Sequence, residues 1–232
     1  IDTPNCPQYV IAFYAIMRLG AIANPIIPLN RFAEIVHQSN DSHAKMLIIL
    51  DSLYEEHLHG KELSKMVTLE TIIMTEIAEY LSPLKGKLGK LIKKIPYMKV
   101  WPNKLGKIQF LKFQEVLQSG LPIDVPKLNI DPVKDTAVLI YTGGTTGAPK
   151  GVMSTHFNLI ANCNQGISWV TTQVPSIKKF RGKGGMIIVL PLCHSFAMSV
   201  GMNMAYWLGI KLILIPKPPE KLSKILDLAL KE

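Results

Sequence analysis

YTGGTTGAPKG, residues 141–151, gathers four glycines, three threonines and one lysine into eleven residues. Glycines let backbone N–H groups approach an anion closely, threonine hydroxyls add donors, and lysine brings a mobile positive charge. A polyphosphate needs such donors, and ATP is the natural candidate. A Walker A loop requires Lys directly after its last Gly, followed by Ser or Thr. Here Ala148 and Pro149 separate Gly147 from Lys150, and Gly151 follows the lysine. Val152 and Met153 favour extended chain, so the loop is expected to join two strands and not to cap a helix. A glycine-rich hairpin without a ligand is the plainer alternative.

Upstream of the strand that enters this loop (137–141), short apolar runs alternate with helical patterns. Residues 5–19 read as a helix, 21–27 as a short buried strand ended by Pro28, and 31–40 as a helix. KMLIIL at 45–50 reads as a strand, 53–65 as a polar helix, 71–74 as a strand, and 108–111 with 113–118 as a further strand and helix. Downstream, 156–170 reads as a helix that His156 could cap, 186–190 and 211–215 as strands, and 194–208 and 219–231 as helices. This alternation predicts an α/β fold with a mainly parallel sheet flanked by helices. The polar, Lys- and Gly-rich stretch 171–185 suggests a division. Residues 1–170 would form a first subdomain, and 171–232 a linker with the start of a second.

The 232 residues are 48% apolar and 19% charged, which excludes disorder, collagen and coiled coil. Cys6, Cys163 and Cys193 lie far apart without a CxxC pair, offering neither a disulfide framework nor a zinc cluster and pointing to a reducing compartment. The chain opens on Ile1 with nothing like a signal peptide, as an internal piece of a longer protein would. Residues 186–210 carry no Asp, Glu, Lys or Arg, long enough to span a bilayer, but Pro191, His194, Ser195, Ser199 and Asn203 interrupt them. A buried strand, a loop and a buried helix are expected there. Charge is concentrated elsewhere: residues 81–109 hold eight lysines and no acid, leaving about +1 of the net +9 for the rest of the chain. Within that segment Leu81, Leu84, Leu88, Leu91, Ile92 and Ile95 recur at helical spacing among the lysines. Three readings stand open: a surface helix with a solvated lysine face, contact with an anionic membrane, or nucleic acid, for which no motif speaks.

YTGGTTGAPKGVM resembles the phosphate-binding signature of the adenylate-forming superfamily of acyl-CoA synthetases, luciferases and peptide-synthetase adenylation domains. VLPLCHSFAMSVG, residues 189–201, resembles the segment where that superfamily places a histidine or aromatic residue beside the substrate carboxylate. PNCPQYVIAFYAIMRLGAIANPIIPLN, residues 4–30, resembles its first helix and strand. The PLCHSF form, the loop and the basic insert together look most like long-chain fatty acid–CoA ligases, with coumarate-type ligases close. The resemblance implies that Thr142, Gly143, Gly144, Thr145, Thr146, Gly147 and Lys150 wrap the β- and γ-phosphates of ATP. Thr142 would also sit near Mg²⁺, and His194 would orient the attacking carboxylate and the α-phosphate, with a core histidine as the alternative. Phe196 would line the acyl pocket or fill the core. The family's later motifs and small C-terminal domain have no counterpart before Glu232. The chain is therefore expected to be part of a cytoplasmic ligase, peripheral at membranes through residues 81–109, that uses fatty acid, ATP and CoA, and to be inactive alone. The alternatives are an aryl- or coumarate-type ligase and a non-catalytic nucleotide-binding or membrane-docking module.

Overall fold

A computed structural model describes residues 1–120, 127–142 and 147–219, with residues 223 and 225 beyond. Strands β1 (Met46–Leu50), β2 (Thr71–Thr75) and β4 (Ile108–Lys112) run parallel in the order β1-β2-β4, and the two-residue β3 (Lys104–Leu105) closes the edge antiparallel to β4. Helix α5 (Phe113–Ser119) follows β4 directly, as the sequence pattern predicts. Parallel strands are covered on both faces and read as continuous apolar runs, as MLIIL does in β1. Ile35 of α2 (Phe32–Asp41) and Tyr54 of α3 (Asp51–His57) join Ile49, Ile72 and Phe110 in one buried cluster. The helix expected over 53–65 is in fact α3 and, after Gly60, a separate 3₁₀ turn at Leu63–Lys65.

The strand expected at 21–27 is reduced to a bridge. Ala23 donates its N–H to Ala137 (2.9 Å) and accepts from Leu139 (2.8 Å). Pro25 and Pro28 lack the N–H that a longer ladder would use. That bridge attaches β5 (Thr136–Thr142), which pairs antiparallel with β6 (Lys150–Thr155) as a separate hairpin. Helix α6 (His156–Gln173) follows, and its cap is Thr155 and not His156: the Asn158 N–H donates to the Thr155 hydroxyl at 3.2 Å.

The charge-free run folds as strand, turn and helix. Strand β7 (Gly185–Ile188) pairs parallel with β8 (Lys211–Leu214), and between them a π-helical stretch, Ala197–Asn203, continues into α7 (Met204–Leu208). Met198 and Met202 from this stretch pack with Tyr9 and Phe13 of α1 (Pro7–Arg18). Asn5, just before α1, locks the turn: its amide donates to the carbonyls of Ile188 (3.2 Å) and Leu190 (2.9 Å) and accepts from Leu192 N–H (2.8 Å). Among the described residues no helix is long and apolar enough to cross a membrane. Most of the helix expected over 219–231 lies outside the described residues.

In the basic segment the helix is α4, Pro83–Leu91, shorter than the 81–95 span of the leucine repeat. It ends where Lys93 adopts φ 56° and the N–H groups of Lys94 and Ile95 both turn back to the Gly89 carbonyl. Its orientation reverses the usual amphipathic rule. The buried residues are Gly86 and Gly89, while Leu84, Leu88 and Leu91 face out.

Candidate functional site

The hairpin register places Thr142 directly opposite Lys150, so the glycine-rich loop springs from the open end of a strand pair, as its sequence predicts. The other end of β5 is anchored by Ala137 and Val138, both fully buried. Thr142, Gly147 and Lys150 are exposed at the tip, and Lys150 forms no ion pair among the described residues. Gly143, Gly144, Thr145 and Thr146 lie outside the described residues. The Tyr141 ring lies close over its strand partner Gly151, where a Cβ would come to 3.0 Å of the ring and the ring would have to shift by a few tenths of an ångström.

Helix α2 ties down both legs of the hairpin. The Tyr141 hydroxyl donates to Asp41 Oδ2 at 2.5 Å, and His37 Nε2 lies 2.9 Å from the Pro149 carbonyl oxygen. Positions 37 and 41 are one helical turn apart and share a face, so one helix grips the chain on either side of the loop. Burial and the neighbouring Asp41 carboxylate push the Tyr141 phenol well above its ordinary value, keeping it a neutral donor. Sequence reasoning singled out neither His37 nor Asp41. Their i,i+4 spacing was visible, but it carries no meaning until the partner strand is known.

His194 stands at the turn between β7 and the π-helical stretch. Its N–H donates to the Pro191 carbonyl (2.9 Å), and its side chain is exposed, which removes the core-histidine reading. Its Nδ1 accepts the Phe196 backbone N–H at 3.2 Å. A neutral imidazole that accepts at Nδ1 carries its proton on Nε2, so the ring presents an N–H donor outward. Cys193, its neighbour, lines a cleft of about 160 Å³ together with His37, Tyr141 and Pro149. The turn and the hairpin therefore meet across one cleft. Burial pushes the Cys193 thiol up to about 11, so it offers no thiolate nucleophile at neutral pH. Cys6 and Cys163 are likewise buried and free.

Phe196 is half exposed and does not belong to the core. Among the described residues, no three His, Cys, Asp or Glu side chains converge on a possible metal position. Thr142 brings a hydroxyl oxygen to the hairpin tip, the hard donor type that suits Mg²⁺ carried largely by phosphate and water oxygens.

The profile of the family described as AMP-binding enzyme matches residues 1–231. The chain is 34% identical over 225 residues to a long-chain fatty acid–CoA ligase of Bacillus subtilis, covering 97% of this chain and 38% of that protein. It is 26% identical over 215 residues to a probable 4-coumarate–CoA ligase of Dictyostelium discoideum, covering 92% of this chain and 35% of that protein. Among solved structures it is similar to a long-chain fatty acid–CoA ligase from Archaeoglobus fulgidus, with 27% identity, a TM-score of 0.66 and coverage of 94% of this chain and 35% of that one. Mycobacterium smegmatis MbtA shares the fold at 21% identity and a TM-score of 0.67, over 97% of this chain and 35% of that one. The chain thus spans well under half the length of the relatives it matches.

Proposed function

From the premise that this chain belongs to the AMP-binding enzyme family, we propose that it is the nucleotide-binding part of a longer long-chain fatty acid–CoA ligase. In the proposed reaction the fatty carboxylate attacks the α-phosphate of ATP and expels pyrophosphate. The CoA thiol then displaces AMP from the acyl-adenylate. The observation that carries the reading is the pairing of Thr142 and Lys150 across the exposed hairpin tip, whose neighbours Tyr141 and Pro149 share a cleft with Cys193, the residue before His194.

The residues divide the work by charge. As pyrophosphate leaves, negative charge grows on the β- and γ-phosphates. The loop donors, from Thr142 through Gly143, Gly144, Thr145, Thr146 and Gly147 to Lys150, hold that charge in place. The Nε2–H of His194 donates to oxygen on the α-phosphate or the carboxylate and holds the two in line. The Thr142 hydroxyl would be one oxygen ligand for Mg²⁺, which when bound would supply neutralisation of phosphate charge. Residues 171–232 we take as a linker and the start of a second α/β subdomain, since β7 and β8 form a parallel pair of their own around a helical crossover. The long-chain acid is favoured over an aryl acid by the closer identity to the fatty acid–CoA ligase.

Fatty-acid-dependent ATP–pyrophosphate exchange in the full-length protein tests this. Exchange should appear with palmitate and fall about 10- to 150-fold in Lys150→Ala, the worth of one charged contact of about 1.5 to 3 kcal/mol. Exchange with 4-coumarate alone would move the assignment to aryl acids, and exchange unaffected in Lys150→Ala would remove the loop assignment.

A further inference from the structure

Helix α4 turns its apolar face away from the protein. Leu84, Leu88 and Leu91 are 78%, 52% and 79% exposed, while the residues it buries are Gly86 and Gly89. At about 100° per residue the three leucines fall within about 60° of one another, and the two glycines lie on the opposite side. The glycines explain the reversal. Gly86 sits against Ala78 of the 3₁₀ turn Ile77–Tyr80, where a Cβ would come within 3.4 Å of the alanine methyl, and a Cβ on Gly89 would clash with Ile95. The surface beneath the helix lies too close for leucine side chains. Lys90 is drawn back as well, bonding to Glu76 Oε2 at 2.5 Å and lying 5.0 Å from the Tyr97 ring centre.

What remains outside is a leucine stripe with Lys85 on one flank, Lys87 on the other, and Lys93 and Lys94 at its C-terminal end, all exposed. Of the eight lysines between residues 81 and 109, Lys90 is the one ion-paired to an acid among the described residues. Just past the helix, Ile92 adds exposed apolar surface at 50%. An apolar stripe flanked by unpaired cations matches one chemistry well. Acyl chains receive the leucines, and anionic headgroups receive lysines whose aliphatic stems run alongside. A phosphodiester backbone would satisfy the lysines but leave the leucines against charge. An apolar protein groove would satisfy the leucines but not the ring of cations.

We propose that α4 is a membrane-docking element that inserts Leu84, Leu88 and Leu91 shallowly into a lipid surface bearing anionic headgroups. Lys85, Lys87, Lys93 and Lys94 provide its attraction to charge. The proposal is independent of the reading of the hairpin. With little more than two helical turns, the contact is weak and reversible, and it responds to both salt and lipid charge.

Flotation of the full-length protein with vesicles of phosphatidylcholine containing about 30% phosphatidylglycerol, against phosphatidylcholine alone, tests it. Binding to the anionic vesicles should exceed binding to the neutral ones by at least about tenfold. It should fall by about tenfold or more both in Leu84→Ser/Leu88→Ser/Leu91→Ser and in Lys85→Gln/Lys87→Gln/Lys93→Gln/Lys94→Gln. These side chains are exposed, so circular dichroism of both variants should match wild type. As a measurement independent of them, Leu88→Trp should shift its emission to the blue on anionic vesicles only. Equal binding to the two compositions, no binding, or variants that float like wild type would overturn the proposal. So would a wild type that ignores vesicles but dissociates from dimer to monomer in the triple serine variant, since a second copy would then be the occupant.

Discussion

A backbone N–H, that of Phe196, decides which nitrogen of His194 is left to work. Because it donates to Nδ1, the neutral ring carries its proton on Nε2. The histidine is exposed, so removing it should cost orientation of the reactants and little stability. His194→Ala should slow acyl-adenylate formation by about 10- to 150-fold while leaving thioester formation from supplied acyl-adenylate nearly intact. His194→Gln, which can keep an N–H donor there, should recover part of the loss. Equal loss in both half-reactions would point to a general packing role. The residue itself stood out in the sequence because PLCHSF brackets it. The tautomer did not, since it depends on a backbone bond made only once the helix has formed.

Helix α2 has a role that its own sequence does not announce. Through Asp41 and His37 it holds Tyr141 and Pro149, one on each leg of the hairpin. Any loop loses conformational freedom when it closes on a ligand, and a fixed pair of ends lowers that cost. Tyr141→Phe removes the bond to Asp41 without emptying the space of the ring. The expected result is a rise of about 2- to 12-fold in the KM for ATP, from a hydrogen bond worth about 0.5 to 1.5 kcal/mol, with kcat and melting temperature little changed. A fall in kcat at constant KM would place Tyr141 in the chemical step instead. Helix α4 shows the complementary limit of periodicity. Leucines at 84, 88 and 91 correctly predicted a helix, yet the pattern could not say which side faces the protein. The choice rests on Gly86 and Gly89, whose missing side chains let the helix approach Ala78 and Ile95.

Across the whole molecule, the basic segment returns to the sheet through Asp51. This fully buried residue at the end of β1 accepts the N–H groups of Ser52 at 2.7 Å and Met98 at 2.9 Å. Burial outweighs those bonds and pushes its carboxyl from 3.8 up to about 6. Between those two values the folded chain keeps a proton that the unfolded chain has released. This contribution to stability therefore declines as pH rises through that window and is level above it. Urea melts should show wild type losing stability relative to Asp51→Asn between about pH 4 and pH 7, and a difference that stays flat would reject the assignment. The alternation of apolar runs and helices determined the α/β class by itself, because strand and helix periods are local properties of the chain. The proposed reading of the loop as a phosphate site came from its donors for the same reason, since residue type and spacing are enough to state what an anion requires. The Ala23 bridge to β5, the grip of α2 on the hairpin and the outward face of α4 were decided only in three dimensions. Each depends on which distant segment lies alongside, and prolines or glycines set how closely it can approach.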